Sequence, residues 1–226
     1  MATTTFAILP IKSFENAKRR LGEGLDPTPR RALVEAMFSD VLVALRRAAL
    51  VDQVVVVTSH HGAERIAGGY GALVIEDREE GHNEAASLGV QRALGLGADR
   101  ALLVPGDCPL LLSDEIDELI RRPAVAGSVL VVPDRHGSGT NALLLTPPDA
   151  MGPSFGPGSR ERHESHARSQ GLEVATVTVP TLALDVDTPD DLVAVESELD
   201  NSHGGAAHTR GMLRQLSRSQ GRWSQP

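Results

Sequence analysis

Seven short apolar runs recur between Phe6 and Pro180, and most are continuous rather than alternating. They are FAILPI from Phe6, QVVVVTS from Gln53, ALVIED from Ala72, RALLVPG from Arg100, SVLVVPD from Ser128, NALLLT from Asn141 and EVATVTVP from Glu173. A strand that is apolar on both sides needs a layer packed on each face. Helix-spaced segments lie between the runs: PRRALVEAMFSDVLVALRRA from Pro29, GAERIAGG from Gly62, NEAASLGVQRAL from Asn83 and SDEIDELIRR from Ser113. Ser113 is suited to cap the last of these, with Asp114 and Glu115 in the first turn where the helix dipole favours anions. Alternating strand and helix predict an α/β, Rossmann-like doubly wound sheet in a single domain. In such sheets ligands bind beyond the carboxyl ends of the strands, so the loop after each strand carries the functional information.

The second half is less regular. Residues 135–159 are rich in glycine and proline, and Asn141 to Thr146 is expected to pair antiparallel or at an edge, which makes the sheet mixed. Ser159 is suited to cap a helix over SRERHESHARSQG. Near the end, Thr188, Pro189 and Asp191 form a capping box with proline at the first helical position. Beyond Leu199 the chain carries Arg210, Arg214, Arg218 and Arg222 and little apolar content. It reads as a disordered tail, giving one domain over 1–199 and a tail over 200–226.

Composition narrows the functional classes. The 226-residue chain has a formal net charge of −8, which argues against a nucleic-acid binder, because those neutralise phosphates with clustered basic charge. No apolar run approaches the ~20 residues that cross a bilayer, and MATTTFAILP lacks the basic start of a signal peptide. A single cysteine, Cys108, forms neither an internal disulfide nor a cysteine-rich metal site, so a reducing cytoplasmic setting is expected. Basic charge is nonetheless focused. Twenty of the 22 basic side chains are arginine, and both lysines, Lys12 and Lys18, lie in LPIKSFENAKRRL just after the first strand. Compact ammonium groups after a strand suit phosphate oxygens.

No GxxxxGK[ST] or strand-to-helix GxGxxG is present, which weighs against P-loop and dinucleotide-binding chemistry. The candidate anion site therefore rests on the Pro10 to Lys18 loop and on the Gly81–Asn83 turn, where Asn83 can cap a helix whether or not a ligand binds. Two strand ends carry acids: Asp107 after the fourth run, and Asp185 with Asp187 in LALDVDTPDDL, upstream of the Thr188 cap. Carboxylates from separate strand ends can share Mg²⁺, whose shell is completed by water and substrate phosphates. Cys108, between Asp107 and Pro109, reads as a small packing residue rather than a nucleophile. Thr140, Gly156 and Ser159 lie in segments whose amides and hydroxyls would suit a small phosphorylated acid, although two flexible turns would look the same.

Taken in order, LPIKSFENAKRRL, GHNEA, LLVPGDCPLL, GTNALLL, FGPGSRERH and DVDTPDDL resemble the guanylyltransferases of the coenzyme F-420 pathway that act on 2-phospho-L-lactate or phosphoenolpyruvate. The resemblance spans about residues 5 to 199. It implies a glycosyltransferase-A-like nucleotidyltransferase fold and transfer of GMP from GTP to the acid, with release of pyrophosphate. It also implies catalytic roles for Lys12 and Lys18 on the triphosphate, with Pro10, Gly81 and Asn83 beside the nucleotide. Asp107, Asp187 and Asp185 would hold Mg²⁺, and Thr140, Gly156 and Ser159 would hold the acid. A downstream deazaflavin transferase is an implied partner. One departure is GHNEA where the family reads GLNAA, which puts His82 and Glu84 near the nucleotide. The competing expectations are a nucleotidyltransferase for the molybdenum cofactor or a sugar phosphate, and a nucleotide-binding module without turnover.

Overall fold

A computed structural model describes residues 3–14, 18, 21, 25–123, 125–202 and 204–220. The elements in chain order are β1 (Thr5–Pro10), α1 (Pro27–Arg47), β2 (Gln53–Val57), α2 (His61–Gly69), β3 (Leu73–Ile75), α3 (His82–Gly95) and β4 (Arg100–Leu103). They continue with α4 (Ser113–Arg121), β5 (Ser128–Pro133), β6 (Thr140–Thr146), α5 (Ser159–Ser169), β7 (Glu173–Thr176), α6 (Pro189–Asn201) and α7 (Ala207–Gln220). All seven strands form one sheet in the order β3-β2-β1-β4-β6-β5-β7. β1 to β4 are mutually parallel, β6 runs antiparallel to both β4 and β5, and β5 and β7 are parallel.

The continuous apolar runs have the two-sided burial they imply. Ala7 and Leu9 of β1, Val54 and Val56 of β2 and Leu102 of β4 face a layer built from α1, α2, α4, α6 and α7. Phe6, Ile8, Val55, Val57 and Leu103 face the opposite layer, built from α3 and α5. Helix α3 lies very close to the sheet: a Cβ added at Gly89 would sit 2.4 Å from Ile8 Cγ2 and 3.1 Å from Val57 Cγ2. Only glycine permits that approach. It fixes where the first turn of α3 emerges at the carboxyl edge.

β6 was expected antiparallel or at an edge, and it is antiparallel but central, inserted between β4 and β5. Ser113 is the first residue of α4 rather than its cap, which is Leu112. Thr188 caps α6 in the expected box: its hydroxyl accepts from Asp191 N while Asp191 accepts from Thr188 N at 2.7 Å.

The expected tail is the principal correction. Residues 207–220 form α7, whose Thr209, Leu213 and Leu216 are buried in the core layer of α1. Their spacing of four and three residues makes a narrow helical stripe that low overall apolar content obscures. The start of α7 is held by Asp40 of α1, only 5% exposed, which accepts from His208 N at 3.0 Å and Thr209 N at 2.7 Å. Residues 221–226 of that expectation lie outside the described residues.

A buried carboxylate satisfying two helix-start amides is a charged acceptor, and losing it leaves both donors unpaired. Asp40→Ala should therefore lower unfolding free energy by about 2 kcal/mol. Urea denaturation measures this, and hydrogen exchange should show the amides of 208–213 losing protection first.

Candidate active site

The sheet order gathers the site. β1, β2 and β4 all end at one edge, and β6, running the other way, begins there. The loop after β1 brings Lys12 and Lys18, the loop after β4 brings Asp107, and the start of β6 brings Thr140 and Asn141. Segment 182–187 is laced across this edge. Val186 N donates to the Asp107 carbonyl at 3.1 Å, and Asn141 Nδ2 donates to Leu182 O at 2.6 Å and to Asp185 Oδ1 at 3.1 Å. Cys108 Sγ lies on the same Leu182 carbonyl at 3.5 Å, fully buried. Burial, reinforced by Asp107 and Asp185, pushes its thiol pKa well up, so it is a packing residue and not a thiolate.

Lys18 Nζ forms ion pairs with Asp107 Oδ2 and with Asp187 Oδ1, the latter at 2.5 Å. The Lys18 side chain is 11% exposed. Burial alone would depress its pKa, but the charges of Asp107 and Asp187 outweigh burial and raise it, so the ammonium stays charged. Lys18 also has φ +54°, a left-handed conformation that costs a non-glycine residue about 1 kcal/mol or more. The two carboxylates hold it there.

One ammonium does not balance three carboxylates. Asp185 is pushed up from the usual carboxylate range by burial and by neighbouring Asp107, against the opposing bond from Asn141. Asp107 Oδ1 is buried without a hydrogen-bond partner among the described residues. That orphaned oxygen and the surplus negative charge fit a hard divalent cation. Among the described residues no three acidic, imidazole or thiol groups form a closed cage, so one or two carboxylates would supply the protein's ligands.

The first turn of α3 forms the next wall. Gly81, at φ +145°, holds the cap position expected of Asn83, and His82 opens the helix. Burial and then the positive charge of Lys12 lower the His82 pKa, against the pull of Asp107, Asp77 and Glu84. The Asn83 amide faces elsewhere: its Oδ1 accepts from Phe155 N at 2.7 Å, and its Nδ2 donates to Phe155 O at 3.3 Å. Lys12 is exposed, and Pro10 is the buried last residue of β1.

Across from α3 lies the 153–159 loop. Gly156 and Gly158 adopt φ +117° and +68°, which allow the chain to turn sharply into α5. Gly158 is the cap, and Ser159, expected as the cap, is the buried first residue of the helix. Arg162 latches the loop through Ser154 O at 2.9 Å, Ser154 Oγ at 3.2 Å and Pro157 O. Thr140 is buried, with its Oγ1 3.0 Å from His163 Nδ1. Sequence reasoning gave His163 no role. The available signal was its spacing of four from Ser159, which puts both on one helix face.

Comparisons with known proteins identify the family and the fold. The family model described as "Guanylyl transferase CofC like" matches residues 5–221, α7 included. The chain belongs to the CofC-like guanylyl transferase family. It is 53% identical to a phosphoenolpyruvate guanylyltransferase of Conexibacter woesei over 96% of this chain and 98% of that one. It is 34% identical to a 2-phospho-L-lactate guanylyltransferase of Methanothermobacter thermautotrophicus over 94% and 91% of the two chains. Its backbone is similar to a nucleotidyl transferase from Methanothermobacter with a TM-score of 0.68 and 18% identity, covering 88% of this chain and 99% of that one. That likeness is one of fold, and the expected nucleotidyltransferase fold is borne out. No helix among the described residues of this CofC-like chain is long and apolar enough to cross a membrane.

The CofC-like site contains one buried imidazole with a testable pH signature. Burial, with Arg162 and His166 nearby, lowers the His163 pKa to about 4. Between that value and an unfolded pKa of ~6.5 the unfolded chain binds more protons, so this contribution is present above pH ~6.5 and is lost as pH falls toward 4. Urea titrations at pH 7, 5.5 and 4.5 should show a shallower loss of stability in His163→Asn than in the parent chain.

Proposed function

We propose that this CofC-like chain transfers GMP from GTP to phosphoenolpyruvate or 2-phospho-L-lactate, releasing pyrophosphate, in coenzyme F-420 biosynthesis. A phosphate oxygen of the acid attacks the α-phosphorus of GTP, the bond from that phosphorus to the β-bridging oxygen breaks, and pyrophosphate leaves with the electron pair. The observation that carries this reading is the Lys18 ammonium held between Asp107 and Asp187 at the carboxyl edge. Lys12 and Lys18 would neutralise the triphosphate, and Pro10, Gly81 and Asn83 would border the nucleotide. Asp107 with Asp187 would hold Mg²⁺, and Asp185, tied to Asn141, would add negative charge behind them. When bound, that ion would offset charge on the phosphates and orient them.

Thr140, Gly156 and Ser159 would receive the acid. A phosphate monoester is already largely deprotonated at neutral pH, with its second pKa near 6. Its oxygen therefore needs no general base, in keeping with a site that supplies positioning and charge rather than a nucleophile and base pair. Phosphoenolpyruvate is the preferred acceptor, because the relative of that name is 53% identical across nearly the whole chain. The protein would act in the cytoplasm and hand its product to a deazaflavin transferase. Its net charge of −8 speaks against nucleic acid as a partner.

The test supplies GTP and Mg²⁺ with phosphoenolpyruvate, 2-phospho-L-lactate or 3-phosphoglycerate, together with the downstream transferase and its deazaflavin acceptor. Mass spectrometry should find a product carrying the acid, with phosphoenolpyruvate turned over fastest. Absence of a guanylylated or transferred product with all three acids would overturn the assignment. Lys18→Ala and Asp107→Asn should each reduce pyrophosphate release ~100-fold or more while circular dichroism stays unchanged. Near-normal turnover in either folded variant would exclude these residues from the reaction.

A further inference from the structure

His163 is fully buried between the start of β6 and the 153–159 loop, and both of its ring nitrogens are engaged. Nε2 lies 2.8 Å from Ser154 N. A backbone N–H can only donate, so Nε2 must carry the lone pair. In the neutral ring the proton then sits on Nδ1, which donates to Thr140 Oγ1 at 3.0 Å. The lowered pKa of His163, from burial with Arg162 and His166 beside it, agrees with a neutral ring. This contact is the hydrogen bond found for Thr140 Oγ1 among the described residues. A hydroxyl that accepts from an imidazole keeps its own proton to give to another acceptor, and phosphate or carboxylate oxygens are pure acceptors.

We propose that His163 is a positioning residue that fixes Thr140 as a hydrogen-bond donor to the phosphorylated acid. The proposal rests on the reading that Thr140 contacts that acid. The same ring sets the height of the acid-binding loop, because Ser154 N is anchored on it. Phe155 packs edge-on against it at 5.2 Å between ring centroids and against His82 at 5.5 Å. Asn83 then clamps the Phe155 backbone from α3. A hydroxyl free to rotate could accept as readily as donate, and His163 removes that freedom in the empty site, before the acid arrives.

The two amide replacements separate the roles of the two ring nitrogens. His163→Asn places an amide NH₂ near the Nδ1 position and keeps a donor toward Thr140, whereas His163→Gln can reach Ser154 N with its carbonyl and leaves Thr140 without a donor. His163→Gln should raise the KM for the acid ~10-fold or more with the KM for GTP unchanged, and His163→Asn should restore most of that loss. Thr140→Val should raise the acid KM at least as much, and the Thr140→Val/His163→Gln pair should be no worse than Thr140→Val alone. Additive losses, an equal rise in the KM for GTP, or a normal acid KM in His163→Gln would each overturn the proposal.

A normal acid KM in Thr140→Val would instead overturn the assignment of Thr140 to the acid, and His163 with it. Should His163→Gln not fold, ¹⁵N NMR of the parent chain decides the matter. The His163 ring should show Nδ1 protonated and Nε2 bare at pH 7, and the opposite tautomer would refute the proposal.

Discussion

One ammonium group between two carboxylates organises the functional edge of this protein. Lys18 is drawn from the loop after β1 to Asp107, after β4, and to Asp187, far along the chain. Without a cation there, three acidic side chains converging on a part-buried edge would repel one another, and the pKa of Asp185 is raised by its burial first and by the charge of Asp107 second. The ion pairs are therefore a condition for bringing these loops together. One oxygen of Asp107 is buried with no hydrogen-bond partner among the described residues, so it is available to a further ligand.

The antiparallel placement of β6 is the topological counterpart of that charge arrangement. In a purely parallel sheet the strand beside β4 would begin at the far edge. Reversing β6 brings its first residues beside the end of β4, so Thr140 and Asn141 reach opposite sides of the sheet at the same edge. Asn141 faces the acidic segment and ties down Leu182 and Asp185, while Thr140 faces His163 and the 153–159 loop. A β-bulge opposite Pro133 interrupts the regular alternation of β6 here, so Asn141 faces the same side as Ala142 while Thr140 turns to α5.

Most of the fold was legible because two-sided burial writes itself as unbroken apolar runs, and the starts of all seven strands lie within one residue of those runs. The capping box of Thr188 was legible for a similar reason: the partners are local and three residues apart. What could not be read depended on partners distant in sequence. Helix α7 has only a narrow buried stripe and is held at its start by Asp40, more than 160 positions earlier. Asn83 has the composition of a cap, but Phe155 outcompetes that local role by offering both a donor and an acceptor. The candidate site showed the same division. Its acids and lysines stood out by type, whereas His163 is ordinary in sequence and becomes informative only when both ring nitrogens have named partners.

The links among Asn83, Phe155 and His163 bear on how such a site could distinguish acids that differ by few atoms. Discrimination of that kind weakens if the binding loop can move to accommodate each ligand, because the misfit is then relaxed instead of felt. Here the loop has several independent restraints: Asn83 on the Phe155 backbone, Arg162 on Ser154 and Pro157, and His163 on Ser154. Two of these originate on α5 and one on α3, and α3 is itself pressed against the sheet at Gly89. Rigidity of the 153–159 loop is therefore inherited from close packing deep in the fold. A substitution that loosens the α3 contact with β1 would be felt first in the 153–159 loop, rather than in the Lys18 ion pairs.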